Sequence, residues 1–405
     1  MKILCLLGEY NYGVESRGKG YEYVNFLPAL RRLGHEVIFF ESFNKMTYKD
    51  FAELNYRFLK TVQYENPDVI LTVLLSYELW AETLNLVRLG SKAILINWST
   101  DDSWKYEQFS RFIAKPFHIY TTTYPEAVTK SKLDGYSNFV LTQWSANSES
   151  LATPIAAKKC RYQVSFVGSA YGNRSKWVAA LKDRGVNVEC FGHGWKNGSV
   201  STEEMQRIIR ESIISLNFGD SGWILKGLIP IRSRQIKARI FEVPGAGGFL
   251  FTENAEHLDN FYIPNKEIVV FNGIDDLVLK IKYYIEHQDE RDKIAIAGND
   301  RTRVDHTYNE RFKIILDKAI GFMSATPENC NINFAEFKEI QRKYRRSFIL
   351  KLMRSLLLAP CILLLGKKIG PRLSRRMLHE LSWRLDGKKT YSVTGWPGRL
   401  FYKES

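Results

Sequence analysis

Five cations and no acid stand between positions 226 and 239, and the run leads into one carboxylate. The cations are Lys226, Arg232, Arg234, Lys237 and Arg239, and the carboxylate is Glu242. Cations and the N–H groups of a helix start are what a diphosphate needs. A carboxylate a turn further on can take ribose hydroxyls. The competing reading is a solvated basic loop, with Glu242 as a surface ion-pair partner of Arg239 that adds little energy. Gly245, Gly247 and Gly248 follow, and they read as a helix end and a tight entry to a strand.

A second constellation is Val164-Ser-Phe-Val-Gly-Ser-Ala-Tyr-Gly-Asn-Arg174. A strand runs into Gly168 and Ser169, and Arg174 opens a helix, so N–H groups and a guanidinium can meet a phosphate. Gly192 and Gly194 leave another strand and would let a base or ribose approach closely. In the first part of the chain, Asp101 and Asp102 end an apolar run beside Trp98 and Trp104. A carboxylate there can act as a base toward a hydroxyl, and a tryptophan can stack on a sugar. The competing reading is an aspartate capping the next helix. Gly13, Arg17 and Gly18 lie in a glycine-rich loop after the first strand and read as acceptor- or phosphate-facing. That loop is not G-x-G-x-x-G, and only Glu41 ends the second strand, so a dinucleotide site is the weaker reading. The sequence holds no Asp-x-Asp, which gives a metal-held diphosphate no support. His306 reads as structural.

These residues need sheet edges to hold them. Apolar runs at 2–7, 36–40, 68–74, 92–97, 118–121 and 138–141 alternate with amphipathic segments such as 20–33, where apolar residues recur every three or four positions. Buried runs alternating with helices predict a parallel sheet of βαβ units. A small, polar stretch at 146–154 reads as a linker. The alternation then restarts, with strands at 162–167, 187–191, 213–217, 248–251 and 267–271. Helices are predicted at 174–184, 202–211, 235–243, 274–287 and through 289–320. With 405 residues, two cores are expected: domains at 1–145 and 160–325, followed by a tail at 333–405.

The tail carries the charge. Residues 338–403 hold 17 Lys/Arg and 3 Asp/Glu, so they account for the whole net charge of +14 and leave the body neutral. Such a segment calls for a polyanion or a membrane surface. Residues 341–358 are amphipathic, with Tyr344, Phe348, Leu352 and Leu356 on one face and Arg342, Arg345, Arg346, Lys351 and Arg354 around it. The longest uncharged run, 355–366, contains Pro360 and falls short of the ~18 residues a spanning helix needs. An interfacial helix is expected; the alternative is a helix packed back on the first domain. The five cysteines are scattered without a Cys-x-x-Cys pair, which predicts a reducing compartment and no structural zinc. Five apolar residues after Met1-Lys2 read as a first strand rather than a secretory signal.

Over most of residues 1–320 the chain resembles the glycosyltransferase-1-like domain of CgeB-type proteins, which belong with the GT-B glycosyltransferases. The matching pieces, in order, are Leu33-Gly34-His35-Glu36-Val37, Asp101-Asp102, Phe166-Val167-Gly168-Ser169, Lys237-x-Arg239-x-Phe241-Glu242, Phe249-Leu-Phe-Thr-Glu253, Lys266-Glu267-Ile268 and His306-Thr-Tyr-x-x-Arg311. The resemblance implies an α/β fold of two Rossmann-like domains facing a cleft, with the donor nucleotide-sugar on the second domain and the acceptor on the first. It implies that Glu242 holds the ribose, and that Arg174 and Lys237 hold the diphosphate. Retaining relatives often carry a second glutamate eight positions before Glu242. Arg234 stands there, and Pro244 shortens the helix, so the stereochemical outcome is left open.

The sequence therefore predicts a cytoplasmic, metal-independent sugar transferase, peripheral at the inner face of the membrane. It needs no cofactor, and its donor is a nucleotide-sugar. Gly168, Ser169, Arg174, Gly192, Lys237, Arg239 and Glu242 would bind the donor, and Asp101 or Asp102 would serve the acceptor beside Gly13, Arg17, Gly18 and Trp98. The acceptor would be a glycan or lipid-linked, residues 338–403 would meet an anionic membrane, and no nucleic-acid partner is expected. The alternatives are a nucleotide-sugar epimerase or hydrolase on the same fold, and a non-catalytic membrane or nucleic-acid adaptor.

Overall fold

The computed structural model describes residues 1–75, 77–226, 229–323, 330–344, 348–387 and 390. The chain forms two units. One comprises residues 1–143 and 313–405, the other 144–312.

The first unit is built on six parallel strands, β1 (Lys2–Leu7), β2 (Glu36–Glu41), β3 (Val69–Thr72), β4 (Ile94–Trp98), β5 (Ile119–Thr122) and β6 (Phe139–Leu141), in the order β2-β1-β3-β4-β5-β6. All six predicted strands are present. Those at the centre, β1, β3 and β4, are buried on both faces, which is why they read as unbroken apolar runs. Between the strands run α1 (Tyr21–Arg32), α2 (Phe51–Glu65), α3 (Ala81–Gly90), α4 (Asp102–Lys105), a π turn (Tyr106–Ser110), α5 (Arg111–Ile113) and α6 (Pro125–Leu133). β2 lies on one side of β1 and β3 on the other, so the strand order reverses between β1 and β3. The crevice outside the strand C-termini opens at such a reversal.

The second unit has five parallel strands in the order β13-β12-β9-β7-β8: β7 (Tyr162–Val167), β8 (Glu189–Phe191), β9 (Ser212–Asn217), β12 (Leu250–Glu253) and β13 (Val269–Phe271). Its helices are α7 (Arg174–Asp183), α8 (Thr202–Arg210), α9 (Arg239–Gly245), α10 (Ile274–Glu286) and α11 (Gln288–Asp305), with the start of α12 (Tyr308–Ile320). Here the order reverses between β7 and β9. Three expectations change. The first three cations, Lys226, Arg232 and Arg234, lie in strands, and only Lys237 and Arg239 stand at a helix start: β10 (Asp220–Lys226) and β11 (Ile229–Arg234) form an antiparallel hairpin. The side chains of Lys226 and Arg232 lie outside the described residues. The helix predicted from 235 begins at Arg239. The predicted long helical region after 289 is broken at His306, which ends α11.

The domain limits also shift. The stretch read as a linker belongs to the second unit. Ala152 N–H donates to Gly245 O at 2.9 Å, and Asn299 Nδ2 donates to Ala152 O at 2.9 Å. Glycine after α9 leaves room for it: a Cβ on Gly247 would lie 2.9 Å from Ala152 O.

At the other end, the chain from 313 onward rejoins the first unit. Gln63 receives Ile332 N–H at 3.0 Å and donates to Cys330 O at 2.8 Å, and Asn331 N–H donates to Gly90 O at 2.7 Å. α13 (Phe334–Tyr344) then buries Phe337 and Ile340 in the first core. Phe337 is fully buried and stacks on Trp80, with ring centroids 6.0 Å apart. α14 (Phe348–Asp386) docks its far end on the same core. His379 lies against Phe112 and Tyr77 at 5.4 and 5.9 Å, Trp383 lies 5.5 Å from Phe112, and Glu380 pairs with Arg111. The tail thus packs on the first unit in part. Of its predicted basic and apolar positions, Arg345, Arg346 and residues 391–403 lie outside the described residues, as do the side chains of Tyr344, Phe348 and Lys351. Among the described residues no helix is long and apolar enough to cross a membrane.

If α13 completes the first core, Phe337→Ala should cost about 3–5 kcal/mol, the range for emptying a buried aromatic site. Thermal unfolding of the full chain should show an early transition in that variant. An unchanged melting curve would mean that the segment rests on the surface.

Candidate functional site at the strand C-termini

The second unit gathers most of the predicted donor residues where β7 ends. Arg239, first residue of α9, reaches back over the sheet edge. Its Nε donates to Val167 O at 2.9 Å and its Nη1 pairs with Glu242. These groups are three-quarters buried or more, with side-chain exposures of 24% and 15%, so the pair is not the loose surface contact that sequence alone allows. Gly168 and Ser169 follow β7 directly. Arg174 opens α7, donates through Nη1 to Ser169 O at 3.0 Å and lies 5.3 Å from the Phe166 ring. The first turn of α7 holds no acid, so its N–H groups and Arg174 keep a positive local field. Lys237, just before α9, donates to Gln235 Oε1 at 3.0 Å.

Gly192 is beside this group for a different reason from the one expected. A Cβ there would lie 2.5 Å from Gly168 O, and its φ is +125°. The missing side chain makes room for the β7–α7 turn rather than for a base or ribose. Trp195, which sequence reasoning passed over, donates its indole N–H to Gly168 O at 2.7 Å and braces the same turn. The glycines after α9 behave as expected. Gly247 has φ +80°, its N–H meets Pro244 O at 3.0 Å, and Gly248 N–H meets Val243 O at 2.9 Å. This is a Schellman closure of a helix that is only seven residues long.

Arg234, at the position where a second glutamate was considered, pairs with Glu253 at 3.3 Å. Glu253 is buried at the end of β12, and its other oxygen accepts Gly219 N–H at 2.9 Å. His306 is structural, as expected. Nε2 donates to Phe261 O at 2.7 Å and Nδ1 faces Arg311 Nη2 at 3.2 Å. Burial pushes its pKa down to about 4, so the ring is neutral near pH 7.

In the first unit, the two aspartates after β4 separate. Asp101 is exposed, sits at φ +58°, and makes no side-chain cap to α4. A non-glycine residue held in that region is strained, and such strain clusters at functional sites. Asp102 is 2% exposed and accepts hydrogen bonds from Ser99 Oγ at 2.7 Å and Ser110 Oγ at 2.6 Å. Burial holds its carboxyl above the ordinary range, against the pull of those hydroxyls and of Lys105.

Lys105 is itself buried and donates to Leu74 O at 2.6 Å. Burial lowers its pKa, opposed by Asp102, Glu78, Asp101 and Glu22. This group leaves no local sign in the sequence, because its members come from α1, the turn after β3, and α4.

Trp98 corrects an expectation. It is fully buried, 4.8 Å from the Phe26 ring, so its face is taken by the core and is not open to a sugar. Trp104 is 52% exposed.

Gly13 has φ +71°, and a Cβ on it would collide with Phe43 O at 2.1 Å. Arg17 and Gly18 are exposed in the same loop, with Arg17 lying 5.3 Å from the Tyr12 ring. The loop is pinned by Asn11 Nδ2, which donates to Lys19 O at 2.9 Å, and by the Lys19–Glu9 pair. Glu41 accepts the N–H groups of Glu9 at 2.7 Å, Phe43 at 2.6 Å and Asn44 at 3.0 Å. With those bonds made, it is a loop anchor rather than the ribose ligand of a dinucleotide site.

Comparison with known proteins bears on the second unit most directly. Residues 174–317 match the family model described as glycosyl transferase-like. The sequence matches no curated protein. Among solved structures, the chain is similar to a sucrose-phosphate synthase from Thermosynechococcus elongatus, with TM-score 0.59 and 11% identity over 80% of this chain and 100% of that one. It is similar to the Anabaena protein Alr3699/HepE in complex with UDP and glucose, with TM-score 0.54 and 11% identity over 79% and 100%. It is also similar to the apo form of the lipopolysaccharide outer core galactosyltransferase WaaB, with TM-score 0.52 and 13% identity over 78% and 100%.

The burial of Asp102 can be measured. Burial raises the Asp102 pKa, so the native state keeps its proton longer than the unfolded chain does. Its contribution to stability therefore falls as pH rises from the ordinary value of 3.8 toward the raised native value, and is level beyond it. Asp102→Asn should flatten that fall in a series of thermal unfolding curves. An unchanged fall in that variant would contradict this assignment. Two Rossmann-like α/β units, a glycosyl transferase-like match over residues 174–317 and these structural neighbours together give the chain the GT-B glycosyltransferase fold.

Proposed function

We propose that the chain is a CgeB-type glycosyltransferase that moves a sugar from a nucleoside-diphosphate donor to a glycan or lipid-linked acceptor at an anionic membrane surface in the cytoplasm. The observation that carries this reading is the group at the end of β7, where Arg239 is held by Val167 O and Glu242, beside Arg174 and the Gly168–Ser169 turn. The glycosyl transferase-like match over the same unit supports it. So does the likeness to a protein solved with UDP and glucose.

In this reading the leaving diphosphate gathers negative charge as the glycosidic bond breaks. Arg174, Lys237 and Arg239, with the first N–H groups of α7, stabilise that charge without a metal. Fixed donors need no reorganisation at the moment of reaction, so they act on the transition state. Glu242 takes the ribose hydroxyls on the side of its carboxylate away from Arg239. Gly168, Ser169 and Gly192 keep the turn close to the phosphates. On the first unit, Asp101 is the reachable carboxylate and accepts the proton of the attacking hydroxyl, with the loop of Gly13, Arg17 and Gly18 facing the acceptor. Asp102 supports it from the core through Ser99 and Ser110.

A thermal-shift panel of UDP-, GDP-, ADP- and CMP-sugars tests the donor claim. At least one donor should raise the melting temperature, and the shift should survive EDTA. Arg239→Ala and Glu242→Ala should each weaken donor binding by about tenfold to a hundredfold, the worth of one or two charge-assisted hydrogen bonds. No shift with any donor would sink the donor site, and loss of the shift in EDTA would sink the metal-free mechanism. Asp101→Asn should lower kcat with little change in donor affinity; a change in donor affinity alone would remove Asp101 from the acceptor side.

A further inference from the structure

The end of the chain is a helical hairpin rather than the single amphipathic helix its sequence pattern suggests. α14 is interrupted at Gly366, whose φ of 74° and ψ of 167° are not helical. A Cβ on Gly370 would lie 2.5 Å from Cys361 O. Nine residues of straight helix would separate those positions by about 13 Å, so the chain has turned back. Leu358 is buried against Ile362 and Leu378. Those leucines are twenty positions apart and would be about 30 Å apart in one rod.

The second arm is anchored on the first unit by His379, Glu380 and Trp383, and by Arg375 lying 5.2 Å from the Tyr77 ring. Among the described residues nothing covers the apolar side chains of the bend. Leu363 is 86% exposed, Leu364 83% and Ile369 57%. Leu363 and Leu364 are the most exposed leucines of the hairpin, whereas Leu358, Ile362 and Leu378 pack between its arms.

We infer that this tip inserts into the interfacial region of an anionic lipid bilayer. This deepens the membrane contact in the reading above, but it stands on geometry that does not depend on transferase activity. Two observations select a lipid surface as the occupant. The exposed apolar tip is flanked by exposed Lys367, Arg372 and Arg376, and residues 338–403 hold 17 basic against 3 acidic residues. An apolar wedge ringed by cations meets both parts of an anionic leaflet, its acyl boundary and its headgroups. A second copy of the same hairpin would bring like charges together. Among the described residues no helix is long and apolar enough to span, so the contact lies in the interface plane.

The two ends of the hairpin have distinct tasks. The tip binds lipid. The anchored end sets the position of the first unit, with Asp101 and its loop, relative to the bilayer.

Flotation of the full chain with vesicles of equimolar phosphatidylglycerol and phosphatidylcholine tests it. Leu363→Asp with Leu364→Asp should reduce the floated fraction about tenfold or more, since both wedge residues become anions at an anionic surface. Leu133→Asp, at an equally exposed leucine on α6, should float like the unmodified chain. Glu242→Ala should also float normally, which separates a failed anchor from a failed donor site. Thermal unfolding should be unchanged in the tip variant, because neither residue is buried. Equal flotation of the tip variant and the unmodified chain would overturn the inference. So would a loss of self-association on light scattering without a loss of flotation, which would make the tip a contact between copies of the chain.

Discussion

The arrangement of the second unit turns on one side chain, Arg239. Its Nε is fixed by the last carbonyl of β7 and its Nη1 by Glu242. A short helix containing Pro244 would otherwise be free to shift against the sheet, because it has few hydrogen bonds of its own. The guanidinium joins the start of α9 to the exit of β7. It thereby holds a cation and a carboxylate at the point where the strand order reverses. The rest of the neighbourhood is built to permit that approach. Gly192 gives room to Gly168, Trp195 ties the same turn, and the Gly247–Gly248 closure returns the chain to β12 without a loop. Arg239 is three-quarters buried, and the cost of desolvating it is offset by its bonds to Val167 O and Glu242.

The first unit solves a different problem, the burial of charge at a sheet edge. Asp102 and Lys105 are both deep, and desolvation shifts each toward neutrality. Hydroxyls from Ser99 and Ser110 both donate to Oδ1 of the carboxylate, and the ammonium donates to a main-chain carbonyl. That network fixes the turn after β4 and leaves Asp101 in a left-handed conformation at the surface. The strained residue and the buried network are thus two sides of one turn.

The sheets were legible in the sequence because their strands are buried on both faces. Apolar runs such as Lys2–Leu7 and Ile94–Trp98 carry their own signal. The same property misled in one place. Trp98 looked available beside two aspartates, but it is the last residue of a fully buried strand and faces Phe26. The β10–β11 hairpin was missed because its cations and its Gly–Ser content imitate a solvated loop, and pairing between neighbouring strands leaves no periodic mark there. Glu22, Glu78 and Lys105 were missed because their meeting is entirely non-local. The helical hairpin was hidden by its own composition, since Gly366 and Gly370 inside a leucine- and arginine-rich stretch look like interruptions of one helix. The placement of Arg239, Glu242 and Arg174 near the end of β7 was legible because it depends on helix starts and strand ends, which short sequence windows do reveal.

The central claim is that the end of β7 receives a nucleoside diphosphate. The most direct measurement is a crystal structure of the full chain with the nucleotide-sugar that gives the largest thermal shift. The account predicts the diphosphate within hydrogen-bond distance of Arg174 and Arg239 at the Gly168–Ser169 turn, with the ribose on Glu242. A nucleotide bound elsewhere, with the Arg239–Glu242 pair facing only solvent, would contradict it.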